Sequence, residues 1–125
     1  MVPHRSVLIV DPSEETREVL RTVLEGRGLR ILSASAAEAG LALARQHCPD
    51  LIVLDLECEA AAPQRVAGGF AQQSRQHATP LVLLGSARRV SDAQPQGEFV
   101  AKPYHYAPLI RKIESLLESQ QRPIG

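Results

Sequence analysis

The stretch SVLIVDPSEETREVL, residues 6–20, decides the fold. Val7–Val10 has the length and branched content of a buried strand. Asp11 ends it, and Pro12 follows, which lacks a backbone donor and suits the first turn of a helix. Ser13 can cap a helix with Thr16, Val19, Leu20, Val23 and Leu24 on its inner face, and Gly26 and Gly28 can end it. The result is a strand–helix unit with a lone carboxylate at its mouth.

The same alternation continues outward in both composition and period. Leu29–Leu32, Leu51–Leu54, Leu81–Leu84 and Phe99–Ala101 are further strand-like runs. Ser35 with Glu38 reads as a capping box for a helix over Ala36–His47. Ala60–His77 is helical with Val66 and Phe70 inside, although Gly68 and Gly69 each cost about 1 kcal/mol there. Ser86–Glu98 leaves room for about two helical turns before Pro95 and Gly97. Pro108–Ser119 carries Leu109, Ile110, Ile113, Leu116 and Leu117 on one stripe. Near-continuous apolar strands between amphipathic helices imply a parallel sheet covered on both faces. The expected fold is α/β and doubly wound: five parallel strands in the flavodoxin-like order 2-1-3-4-5 and five helices, the fourth shortened. Residues 1–119 form one domain, and 120–125 read as a frayed tail or a truncated linker.

Charge and length narrow the function. Fourteen basic residues balance fourteen acidic ones in a chain of 125, so no basic field marks a nucleic-acid partner. No apolar run approaches the ~20 residues of a membrane span, and the N-terminus lacks a signal peptide pattern. A cytoplasmic, non-enzymatic protein is expected. Cys48 and Cys58 flank a strand that would hold them beyond disulfide reach. The four histidines show no metal-ligand spacing.

In the 2-1-3-4-5 order, ligands sit beyond the carboxyl ends of strands one and three. Asp11 and Asp55 end those strands, Gly85 and Ser86 end strand four, and Lys102 ends strand five. Two carboxylates and an ammonium in one cleft suit a hard divalent cation and an anion bridged by it. Lysine is rare here, with Lys102 and Lys112 against twelve arginines, so a compact point charge at a strand end stands out.

These residues make the chain resemble the receiver domains of two-component response regulators. The carriers are LIVD at 8–11 with Arg17 in the next helix, PDLIVLDL at 49–56, TPLVLL at 79–84 and AKPY at 101–104. The resemblance spans about Ser6–Ser119. It implies that Asp55 accepts a phosphoryl group, that Asp11, Asp55 and the carbonyl of Glu57 hold magnesium, and that Lys102, ahead of a cis proline, contacts the phosphoryl group.

The departures are specific. Pro12 stands where receivers carry a second acid, which weakens a magnesium site. Gly85 replaces a Ser or Thr hydroxyl, and Ser86 reaches the phosphoryl group only if the loop bends. Phe99 is the switch aromatic without a phenol. The segment around Arg88–Gln96, part of the usual output face, is short, and the proline after the acceptor loop is replaced near Glu59. Tyr104 and Tyr106 are assigned to the output face. These features favour a degenerate receiver, a largely phosphorylation-independent interaction module. A phosphorylation-competent single-domain regulator, loaded by a histidine kinase or phosphotransfer protein, is the alternative. A small enzyme or nucleotide binder is disfavoured, since no Gly-rich phosphate loop follows strand one. The partner is a signalling protein: a kinase, a phosphotransfer protein or a downstream target.

Overall fold

Alternating side chains of the three central strands of one parallel sheet are buried on both faces, which is why those strands read as continuous apolar runs, while the two edge strands are only partly covered. The computed structural model describes residues 4–58, 63–86 and 97–121. Its elements run β1 (Ser6–Val10), α1 (Glu14–Glu25), β2 (Arg30–Ala34), α2 (Ala37–His47), β3 (Leu51–Asp55), a 3-10 turn (Leu56–Cys58), α3 (Pro63–His77), β4 (Leu81–Gly85), β5 (Glu98–Ala101) and α4 (Tyr106–Gln121). The strand order is β2-β1-β3-β4-β5, all pairs parallel. Four α-helices, not the five expected, are found among the described residues. The expected short helix falls on residues 87–96, outside them.

The period of two sorts the core. Val7, Ile9, Leu51, Val53, Val82 and Leu84 face α1 and α4, meeting Leu20, Leu24, Leu109, Ile113 and Leu117. Leu8, Val10, Ile52, Leu54, Leu81 and Leu83 face the other way, onto Ala37, Ala44 and Phe70 of α2 and α3. Burying a side chain of this size contributes roughly 1.5–3 kcal/mol.

Two sequence expectations about the helices need correction. The Ser35–Glu38 capping box does not form: α2 starts at Ala37, Ala36 is the N-cap, and no side chain caps it. The Ser35 carbonyl instead accepts from the Cys58 thiol at 3.1 Å. The two glycines of α3 also differ from each other. A Cβ on Gly68 would meet nothing within 4 Å, whereas one on Gly69 would sit 2.6 Å from Leu41 Cδ2 of α2. Gly69 therefore permits the close approach of two helices, and Gly68 only costs stability. No disulfide joins Cys48 and Cys58.

The base of the molecule is clasped. Arg5 Nη1 donates to the Leu117 carbonyl at 2.9 Å, and Arg27 Nη1 reaches both carboxylate oxygens of Glu114 at 2.8 and 2.9 Å. These contacts tie the start of β1 and the end of α1 to the last turns of α4.

Candidate functional site at the carboxyl edge of the sheet

Register brings the strand-end acids together. Val10 pairs with Leu54, so Asp11 and Asp55 leave the sheet side by side, both 2% exposed. Each carboxylate folds back onto the backbone two residues ahead. Asp11 Oδ1 accepts from the Ser13 N–H at 2.8 Å, and Asp55 Oδ1 accepts from the Glu57 N–H at 2.8 Å. Short acidic side chains make such turns at strand ends because they can replace a backbone acceptor. Asp11 is held through its main chain as well: its N–H donates to the Ala34 carbonyl at 3.0 Å, and its own carbonyl accepts from Arg17 Nη1 at 2.6 Å. Ser13 caps α1 through the Thr16 N–H at 3.2 Å, as its position predicts.

Lys102 arrives from the far side. Its N–H donates to the Gly85 carbonyl at 2.8 Å, continuing the β4–β5 ladder, and its peptide bond to Pro103 is cis. The ammonium reaches Asp55 Oδ2 at 2.6 Å and Glu57 Oε1 at 3.4 Å. The lysine is held above its ordinary range: burial lowers it, and the hydrogen bond and charge of Asp55 more than offset this. Asp11 is raised as well, up to about 6, which here disfavours its charged form. Burial raises it most, the Ser13 hydrogen bond lowers it, and the neighbouring Asp55 raises it again. Both acids thus accept a backbone N–H, and Asp55 has an ammonium as well.

These groups floor an open cleft of about 600 Å³ lined by Asp11, Pro12, Ser13, Thr16, Asp55, Glu57, Lys102, Pro103, Tyr104 and Tyr106. The tyrosines were assigned to the output face and not to the cleft, and the structure has both lining the cleft. Their rings meet edge to face with centroids 6.0 Å apart, and the Tyr106 hydroxyl lies 3.4 Å from Thr16 Oγ1. The Tyr104 phenol is pushed up to about 12, by burial first and then by the charge of Asp11. Ser86 and Gly85 are not among the described residues lining the cleft. Phe99 packs half-buried against the α2–α3 side of the core. Glu57 directs its carboxylate to Lys102, and no three-ligand cluster of His, Cys, Asp or Glu exists among the described residues. Arg17, quoted above only as part of a motif, secures the Asp11 carbonyl; its spacing of six from Asp11 is the signal that could have suggested this.

Comparisons with known proteins agree with this arrangement. The family model described as the response regulator receiver domain matches residues 7–114. The KDP operon transcriptional regulatory protein KdpE of Escherichia coli K12 is 35% identical over 105 residues, covering 79% of this chain and 45% of that protein. Protein PilH of Pseudomonas aeruginosa is 26% identical over 116 residues, covering 89% of this chain and 96% of PilH. The chain thus spans about half the length of regulators of the KdpE kind. Among solved structures, chemotaxis protein CheY4 of Vibrio cholerae superposes with a TM-score of 0.75 at 21% identity, covering 91% of this chain and 99% of that one. The Francisella response regulator 1452 receiver domain gives a TM-score of 0.78 at 17% identity, covering 94% and 99%. At that identity the structures speak to fold alone. Among the described residues, no helix is long and apolar enough to cross a membrane.

Proposed function

The chain belongs to the response regulator receiver domain family, and on that premise we propose that it is a degenerate receiver. It works in two-component signalling largely as a phosphorylation-independent protein-interaction module. The observation that carries this reading is the 2.6 Å contact of Lys102 with Asp55. The candidate acceptor is already paired with the family's phosphoryl-contacting ammonium, while, with Pro12 in place of an acid, two buried carboxylates are found for a cation among the described residues. An acceptor carboxylate already paired with its own ammonium has less to gain from a phosphoryl group. The partner is a signalling protein, a kinase, phosphotransfer protein or downstream target, and its affinity is expected to be unchanged by Asp55→Asn.

Magnesium fits this donor set weakly. Asp11 and Asp55 would hold it with the Glu57 carbonyl. When bound, it would neutralise the carboxylates and polarise a phosphoryl oxygen. The second reading, a phosphorylation-competent regulator using Asp55, is favoured by one observation: Asp11, Asp55 and Lys102 share one cleft at the carboxyl edge. Incubation with magnesium and phosphoramidate, followed by intact-mass measurement, separates the two. The first reading expects no phosphoryl adduct. A stoichiometric adduct, lost in Asp55→Asn, overturns it.

A further inference from the structure

The cleft holds more negative charge than it neutralises. Asp11, Asp55 and Glu57 line it together with one ammonium, and Lys102 is engaged by Asp55 Oδ2 and Glu57 Oε1. Asp11 lines the same cleft, is 2% exposed, and has no ion-pair partner among the described residues. Tyr104 stands close enough to feel that charge: burial raises its phenol first, and the Asp11 carboxylate raises it further.

The wall beside Asp11 is aromatic and apolar. Tyr104 and Tyr106 stand perpendicular with centroids 6.0 Å apart, and Pro12 and Pro103 adjoin them. A volume of about 600 Å³ falls within the roughly 300–1,000 Å³ of sites for small organic ligands. Hydrated magnesium gains nothing from such a wall. A weakly hydrated organic cation gains from both the ring faces and the carboxylate. A guanidinium suits this combination better than an ammonium, because its plane stacks on a ring and its fork pairs with a carboxylate. Replacing an acid by Pro12 moves the cleft in the same direction, away from hard metal ions and toward organic cations.

We propose that the cleft is a binding site for an alkylguanidinium cation, held between the Asp11 carboxylate and the Tyr104–Tyr106 wall. The site does not depend on whether Asp55 is ever phosphorylated.

The chain supplies its own probe. Its two tyrosines are both in the cleft and it has no tryptophan, so its intrinsic fluorescence reports this site. Agmatine, a blocked Gly-Arg-Gly peptide and neutral butylurea are titrated into the full chain in a chelator. The expected result is a saturable change with one of the two cations, half-complete in the low-millimolar range or below. Asp11→Asn should weaken it about fivefold or more, as expected for the loss of a charge-assisted pair. Because that variant is expected to be more stable than the parent, weakened binding cannot be ascribed to unfolding. A response to agmatine identifies a free small molecule as sufficient; a response to the peptide alone identifies a partner's arginine side chain. An equal response to butylurea, an undiminished response in Asp11→Asn, or no response to either cation in the tens of millimolar overturns the proposal.

Discussion

Asp11→Asn should stabilise this protein, and the gain should depend on pH in a defined way. The folded chain holds the Asp11 proton up to about pH 6, against 3.8 for the ordinary carboxyl. For an acid raised by folding, the sign is opposite to that of a salt-bridged aspartate. Below pH 3.8 both folded and unfolded chains carry the proton, and Asp11 costs nothing. Between 3.8 and about 6 the unfolded chain releases its proton first, so stability falls as pH rises. Above about 6 the full cost is present. At 1.36 kcal/mol per pH unit, the interval of about two units corresponds to about 3 kcal/mol. Because the cleft opens to water, about 2 kcal/mol is the better expectation. An asparagine keeps the acceptor for the Ser13 N–H and turns a charge facing Asp55 into a donor. Urea melts in a chelator at pH 4.5 and 7.5 read the effect directly. The variant should exceed the parent by about 0.7 kcal/mol at the lower pH and by about 2 kcal/mol at the higher. In a thermal melt the gain is about 6–10 °C for a domain of this size. A variant less stable than the parent at pH 7.5, or a difference independent of pH, would refute the account of the Asp11–Asp55 pair.

Other expectations follow from single contacts. Lys102→Gln leaves Asp55 buried with only the Glu57 N–H, and should cost about 1–3 kcal/mol by denaturation, with part recovered in the double variant with Asp55→Asn. Ser13→Ala removes the cap of α1 and should cost about 1 kcal/mol. Gly68→Ala, in open space inside α3, should gain about 0.5–1 kcal/mol. Gly40→Ala, whose Cβ would lie 2.5 Å from Val10 Cγ2, should instead lower the urea midpoint, because a β-branched neighbour has little room to move. Under the degenerate reading, magnesium with beryllofluoride leaves the amide NMR spectrum beyond the cleft unchanged; shifts spreading from Asp55 to Phe99 would favour a working switch.

The strands and their order were legible because burial on both faces imposes a simple apolar pattern, and order then places strand ends. Asp11, Asp55 and Lys102 could be brought together on paper for that reason. Tyr104 and Tyr106 could not. They lie past the last strand, where no period constrains direction, and only the path through Pro103 into α4 turns them into the cleft. The false capping box at Ser35 has a similar origin. Its letters match the motif, yet β2 continues to Ala34 and the Ser35 carbonyl is taken by Cys58, a contact between loops 23 residues apart. The role of Gly69 was hidden because its partner, Leu41, belongs to another helix. Local patterns report local geometry; apart from the Arg17–Asp11 contact, the pieces they missed depend on where the chain meets other segments.

The clasp at the base has a consequence for how the chain can be rewired. The Arg5 side chain, bonded to the Leu117 carbonyl, holds the start of β1 within an arginine's length of the last turns of α4, at the pole opposite the cleft. A short linker can therefore join the ends, and a new opening can be cut in the turn at Gly28, whose backbone already stands at φ +87°. Such a circular permutant keeps every strand pairing and every cleft residue while moving both ends of the polypeptide to a different corner of the same pole. It would show which parts of the molecule need covalent continuity and which need only proximity.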